Sequence, residues 1–443
     1  MVSANLNIIA ELKYVLELVK QSADYRKSVT FHPNDFIRDR KLPIERVIGL
    51  ILNMPKRSLS IEVRAFFECL DNTVSMPTKA AFCMQRTKLN PLFFQLWNKI
   101  LVGSFYHHYA NKVKRWRGFR LIAADGSTGY LINKPDLKEY FGTQGNGRTD
   151  VAMTQIMQLQ DILNDLTIWG DIFPIKKSES AIIAAEIDQL PEDSITLLDR
   201  GYPSYSLMYL LTNQETPRHF VIRCKASFNK ETRAFIKSSK RSKIIMLTPD
   251  KDAIKTMRGY GVIVTANTAI KVRMARIKLS TGEEEILFTN LYCPCLYTIA
   301  DLYYLYGLRW GIETTFNKQK NQQQMEQFSG HRVICIQQDC ASTIFIANIQ
   351  SLIEKQCDCF LKQINKRRKY DYKINKNISW ALLKDNIIKL FLCNNEQEIL
   401  LKLTEEFKRY IEPVRKGRKF KREIKFKKIK GKYQTFTNYK RAI

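Results

Sequence analysis

Acidic residues and histidine are scarce in this chain. Its 443 residues hold 43 Asp and Glu against 72 Lys and Arg, with 5 His, for a formal charge of +29. An excess that large calls for a polyanion, a membrane surface or an acidic partner. No apolar run is long enough to span a bilayer. The opening residues, MVSANLNIIAELKYVLE, read as an amphipathic helix and lack a signal-peptide core. Nucleic acid is therefore the leading partner. Zinc spacing is missing too. The ten cysteines include the close pairs Cys293/Cys295 and Cys357/Cys359, but no CxxC…CxxC or CxxC…HxxxH occurs. They read as reduced cytosolic thiols. His107 and His108, in FYHHYANK, have no obvious ligand partners and read as structural or DNA-facing. What the chain does have is apolar residues, 45% of the total, and length for two or three domains with real cores.

Residues 1–115 read as helical, with periodic apolar positions over Ile8–Val19, Ile44–Met54, Leu59–Leu70 and Leu92–Tyr109. Basic residues gather in FIRDRKLP (Arg38, Arg40, Lys41) and between Lys79 and Lys88. The stretch MPTKAAFCMQRTKL has the flavour of a helix-turn-helix, so the segment is expected to be a DNA-binding helical domain.

The pattern then changes. Leu121–Ala124 is a short apolar run delivering Asp125 at its end, before Gly-Ser. Strand-like runs follow at Ala152–Leu159 and Leu163–Asp171, then a helix at Ser178–Leu190 with Ser178 as N-cap and Glu179 in its first turn. Ile195–Leu198 is a second apolar strand, ending in Asp199; a helix at Ser204–Leu211 and a strand at His219–Lys225 complete the series. Strand, strand, strand, helix, strand, helix, strand is the order of a ribonuclease-H-like α/β domain. There the first and fourth strands are neighbours, which would bring Asp125 and Asp199 close enough to share a metal. One Asp after a strand is ordinary turn chemistry; two at these positions is a pattern. Residues 226–290, rich in β-branched residues and turns, read as a mostly β insertion.

Tyr306–Lys320, YGLRWGIETTFNKQK, reads as one helix. At about 3.6 residues per turn, Tyr306, Arg309, Glu313 and Lys320 share an arc of roughly 60°. An i, i+4 surface ion pair between Arg309 and Glu313 is the plain alternative. Beyond it the chain returns to helix, with a basic patch at NKRRKYDYK. From Arg415 to Lys432, eleven of eighteen residues are Lys or Arg, interleaved with Phe420 and Phe426. That tail reads as a phosphate-binding arm. The expected domains are thus 1–115, helical and DNA-binding; 116–335, the ribonuclease-H-like catalytic core with its insertion at 226–290; and 336–443, helical with a basic tail.

Three carboxylates, Asp125, Asp199 and Glu313, are suited to holding two divalent ions about 4 Å apart across one phosphate. Mg²⁺ prefers such hard oxygen ligands. Arg309 and Lys320 beside Glu313 would grip the adjacent backbone, Arg bidentately and Lys as a point charge. Tyr306 would add a phenolic hydrogen bond or a stack.

The segments ADGS, LLDRGY and Y-x2-R-x3-E-x6-K resemble the DDE transposases of bacterial insertion sequences, specifically insertion-sequence family four. FTNL at 288–291, LYYLYGLRWGIETTF at 302–316, RDRKLP and AFCMQRTKL add to the likeness, which runs from about residue 30 to 330. The resemblance implies that Asp125, Asp199 and Glu313 are the catalytic, metal-binding triad, using two Mg²⁺ or Mn²⁺ ions per active site. It implies that Tyr306, Arg309 and Lys320 contact DNA at the transposon end. The partners it implies are double-stranded DNA, as terminal inverted repeats and target, and a second copy in a synaptic homodimer. The setting is the bacterial cytoplasm at the nucleoid, with no membrane. Some members pass through a hairpin intermediate and hold a flipped base on an aromatic residue of the insertion; Tyr260 is one candidate counterpart, although no motif fixes its position and hairpin formation is left open. A metal-dependent nuclease without a joining step, or a non-catalytic DNA-binding derivative, are the competing readings.

Overall fold

Short runs of β-branched and apolar residues set the sheet, and capped amphipathic segments set the helices. The computed structural model describes residues 2–38, 40–53, 58–70, 76–145, 150–279 and 282–415. The chain begins with helices α1 (Val2–Gln21), α2 (Ala23–Ser28), α3 (Ile44–Asn53), α4 (Leu59–Leu70), α5 (Lys79–Arg86) and α6 (Leu92–His108). Next come β1 (Arg120–Tyr130), α7 (Pro135–Phe141), β2 (Thr143–Gly145), β3 (Asp150–Asp161) and β4 (Leu166–Pro174). They are followed by α8 (Glu179–Ala185), β5 (Ser194–Leu198), α9 (Tyr205–Thr212) and β6 (His219–Cys224). Then come α10 (Lys230–Lys237), β7 (Ser242–Leu247), α11 (Lys251–Gly259), β8 (Ile270–Lys278) and β9 (Glu284–Thr289). The remainder is α12 (Ile299–Leu308), α13 (Trp310–Asn317), α14 (Val333–Lys355), α15 (Asp358–Arg367), β10 (Asp371–Ile374), α16 (Lys376–Leu392), α17 (Glu396–Arg409) and β11 (Ile411–Val414). Among the described residues no helix is long and apolar enough to cross a membrane.

Two compact units result. One comprises Met1–Ala110, Tyr130–Met153 and Lys318–Ile443; the other comprises Asn111–Gly129 and Thr154–Asn317. This differs from three consecutive domains. In the first unit, helices from both ends of the chain share a single core. Trp97 of α6, fully buried, stacks on Phe345 of α14 at 4.2 Å and meets Phe391 of α16 at 4.9 Å. Asn348 of α14 donates to Asn98 of α6 at 2.7 Å, and Lys13 of α1 pairs with Glu396 of α17 at 2.8 Å. α14 is buried on nearly all sides although it carries Gln338, Asp339, Ser342 and Gln350. Those groups stay inside because each is hydrogen-bonded. The periodicity of α1, α3, α4 and α6 was visible in the sequence, but the packing of N-terminal helices against α14, α16 and α17 was not.

In the second unit the sheet runs β4-β3-β1-β5-β6-β9-β8-β7. β1–β5 and β5–β6 are parallel; β3–β4, β6–β9, β9–β8 and β8–β7 are antiparallel. β5, SITLL, is buried at every residue, as a central parallel strand covered on both faces should be. The segment 226–290 is mixed where a mostly β insertion was expected, and β7–β9 extend the same sheet. Two helix starts were overlooked. Asn229 accepts the Thr232 N–H at 2.7 Å, and Asp250 accepts the Ala253 N–H at 2.8 Å. Those caps let α10 and α11 form and bury Phe235 and Met257.

Candidate active site

The β1–β5 ladder ends at Ala123 opposite Leu197, so Asp125 in β1 and Asp199 in the loop after β5 both stand just past it. β1 itself continues to Tyr130, so Asp125 lies within a strand and not at its end. Asp125 Oδ1 accepts the Gly126 N–H at 3.0 Å. Burial lifts the Asp125 pKa to about 7, and nearby Glu179 and Glu313 push the same way. Arg309 and the Gly126 N–H pull against them. Asp199 Oδ1 accepts from the Tyr306 hydroxyl at 3.2 Å and lies 3.8 Å from Arg223 Nη1. Burial, then Asp199, raises the Tyr306 phenol to about 12, so it stays a donor.

Glu313 lies in the first turn of α13. Its Oε1 accepts from Arg309 Nη2 at 2.7 Å, and Arg309 Nη1 lies 3.8 Å from Asp125 Oδ2. The i, i+4 pair anticipated as a surface pair is thus built inward, with Arg309 only 5% exposed. Burial works against the Arg309 charge, and the Glu313 hydrogen bond with the neighbouring acids outweighs it. The expected single helix is divided at Arg309, and after Asn317 it widens into a π turn, Lys318–Gln322. The regular 3.6-residue stripe therefore ends before Lys320. Lys320 belongs to the first unit, where it pairs with Glu326 at 3.2 Å. Tyr306, Arg309, Glu313, Asp125 and Asp199 are all in the second.

Several neighbours escaped the sequence reading. Glu179, seen only as a first-turn acid, lies directly over Gly126. A Cβ there would stand 2.4 Å from Glu179 Oε1, so the Gly of ADGS is a close-approach position. Gln155 Nε2 donates to the same Oε1 at 2.9 Å. Tyr202, the last residue of DRGY, is 1% exposed. Its phenol is held well above the ordinary range by burial and by Glu179 and Asp125. Arg223, beside Asp199, is ion-paired with the buried Glu285. None of these pairings has a local sequence signature; only the Gly of ADGS hinted at one.

One helical expectation changes and another is narrowed. Arg86, in the stretch read as helix-turn-helix, is buried and pairs with Asp339 at 2.6 Å, so it does not face a ligand. His108 meets Glu11 at 2.6 Å, which makes it structural. Tyr260 caps the C-terminal end of α11. Most of the basic tail, from residue 416 on, lies outside the described residues.

Carboxylate oxygens are the right donors for a hard divalent cation. Among the described residues, however, no three His, Cys, Asp or Glu side chains are grouped to hold one. Arg309 stands between Asp125 and Glu313, and Tyr306 and Arg223 flank Asp199.

Comparison with known proteins agrees with the family resemblance. The family model described as "Transposase DDE domain" matches residues 143–349. That span contains Asp199, Tyr306, Arg309, Glu313 and Lys320 but begins after Asp125. The chain is 26% identical over 110 residues to "Putative transposase InsZ" of Escherichia coli (strain K12), covering 24% of this chain and 37% of that protein. It is 23% identical over 301 residues to "Transposase InsG for insertion sequence element IS4" of the same organism, covering 65% of this chain and 64% of that protein. The chain thus spans less than two thirds of either relative. Among solved structures, a cryo-EM structure of the piggyBac transposase synaptic complex with hairpin DNA aligns at a TM-score of 0.43. It is 11% identical, over 91% of this chain and 81% of that one. The likeness to insertion-sequence DDE transposases rests on the family model and the two curated relatives.

Proposed function

We propose that this chain, which carries a transposase DDE domain over residues 143–349, is a DNA transposase with Asp125, Asp199 and Glu313 as its catalytic carboxylates. It would cut DNA at terminal inverted repeats and transfer the freed 3′-hydroxyls into target DNA, by cut and paste, as a synaptic homodimer in the bacterial cytoplasm. The observation that carries the reading is the position of Arg309. Its guanidinium reaches Glu313 on its own helix and Asp125 on a distant strand, drawing two of the three acids to one place. Strand order supports a ribonuclease-H-like core, since β1, β5 and β6 run parallel with β3 and β4 on the β1 side.

Mg²⁺ or Mn²⁺, two per site, would be held by Asp125, Asp199 and Glu313, and when bound would activate a water or 3′-hydroxyl and stabilise the leaving oxygen. The chain's own contribution is positioning. Tyr306 fixes one Asp199 oxygen, leaving the other to a ligand. Arg309 orients Glu313 and balances the charge that two acids build up. Arg309 is also proposed to contact the phosphate beside the scissile bond. Lys320 is proposed to contact DNA at the transposon end. Residues 1–115 are proposed to bind DNA through surfaces other than Arg86.

The test is metal-dependent cleavage of DNA bearing the flanks of this protein's own gene, wild type beside Asp125→Ala. Cuts at matched inverted ends followed by joining, absent in the variant, support the reading. Cuts without end preference or joining would indicate a nuclease. Equal binding by both proteins without cuts would indicate a DNA-binding derivative.

A further inference from the structure

The C-terminal helices of the first unit carry a charged surface that the candidate active site does not use. Lys366, Arg367, Arg368 and Lys369, all exposed, lead from the last turn of α15 toward β10. From Lys362 to Lys373 the sequence has six Lys or Arg and one acid, Asp371. A run like this is often just a solvated face, but this one is built onto ordered backbone. Asn365 Oδ1 accepts the Tyr372 N–H at 2.7 Å, and its Nδ2 donates to the Tyr372 carbonyl at 3.1 Å. β10 pairs antiparallel with β11, from Asp371 opposite Val414 to Ile374 opposite Ile411. The Arg368 guanidinium lies over the Tyr372 ring at 4.7 Å, and Lys369 Nζ lies 5.7 Å from the ring centre of Tyr370. Tyr370 is 48% exposed. Exposed Arg415 follows β11 at the same end of this ribbon.

Lys373 pairs with Glu412 at 3.1 Å, but none of the four consecutive cations forms an ion pair with a described residue. Four adjacent like charges held on fixed backbone repel one another, and a polyanion relieves that cost. Arg and stacked tyrosines suit phosphate in particular. We propose that the turn between α15 and β10 is a separate surface that grips the phosphates of duplex DNA without reading sequence. That the polyanion is DNA rests on the proposed function; the surface itself rests on charge and geometry.

The test uses the full chain with Lys366, Arg367, Arg368 and Lys369 all changed to Gln. A control changes the scattered exposed residues Lys240, Lys255, Lys389 and Lys402, all outside residues 1–115, to Gln, matching the loss of charge. Binding to a fluorescent duplex of arbitrary sequence is followed across about 50–200 mM salt. The expected result is a plot of log affinity against log salt shallower by about 2–4 for the first variant, with at least a tenfold weaker affinity at about 0.1 M. The control keeps most of the wild-type slope. A slope equal to that of the control overturns the inference, as does a loss confined to single-stranded RNA with duplex binding intact. End-specific cleavage separates the two claims. Cleavage retained with an unchanged slope sinks only this surface. Cleavage absent in the wild type sinks the proposed function and leaves the slope to decide the surface.

Discussion

Tyr306 donates its phenolic hydrogen to Oδ1 of Asp199 at 3.2 Å, tying the helix that precedes Glu313 to the loop after β5. Burial keeps that phenol protonated, up to about 12, so the bond persists at any working pH. Tyr306→Phe removes the donor and leaves Asp199 beside Arg223 alone. The expected cost is about 0.5–1.5 kcal/mol of stability by urea unfolding. Single-turnover cleavage should fall while affinity for the DNA end changes little. Equal rates in the two proteins would show that Asp199 needs no such orientation.

Gly126 and Glu179 are expected to be energetically coupled. Gly126→Ala places a methyl 2.4 Å from the Glu179 carboxylate and forces it aside, at about 1–3 kcal/mol. In a Glu179→Ala background only Met157 Sδ, 2.8 Å from that methyl, still has to give way, so the cost falls. A double-mutant cycle by denaturant unfolding should therefore show strong non-additivity. Additive effects would mean that Glu179 does not press on this turn.

How much of this was legible beforehand follows from which forces are local. Asp125 and Asp199 could be singled out because apolar strand runs ending in acids are a local pattern, and the pairing of their strands followed from the order of strands. Glu313 came from spacing along one helix. Lys320 was placed by the same spacing, but a π turn breaks the 3.6-residue period before it, and sequence spacing does not announce that turn. Glu179 and Arg223 were missed because each meets its partner through tertiary packing. Arg86 was misread for a related reason: a basic residue on a short helix looks solvated until Asp339, far along the chain, is seen to neutralise it.

Arg86→Ala is accordingly expected to act on stability, not on affinity. Its guanidinium also donates to Gln338 and Ser329, both at 2.6 Å. Removing it leaves Asp339 charged and buried, at about 3–5 kcal/mol. Variants that remain folded should bind DNA with an unchanged salt slope. A reduced slope would return Arg86 to the DNA-facing surface.

The shared core of the first unit predicts that residues 1–115 do not fold alone. Expressed by itself, that segment loses Phe345 and Phe391 from around Trp97 and should show no cooperative thermal transition. In the full chain, Trp97→Ala should cost about 3–5 kcal/mol. A sharp transition in the isolated segment would favour an independent N-terminal domain.

The central claim is that Asp125, Asp199 and Glu313 act together on DNA ends. It is tested most directly by cleavage of end-bearing DNA with Mg²⁺, comparing wild type with Asp125→Asn, Asp199→Asn and Glu313→Gln. The account predicts cutting and strand joining by the wild type alone, with end binding kept in all four proteins. Full activity in any one of the three variants would contradict it.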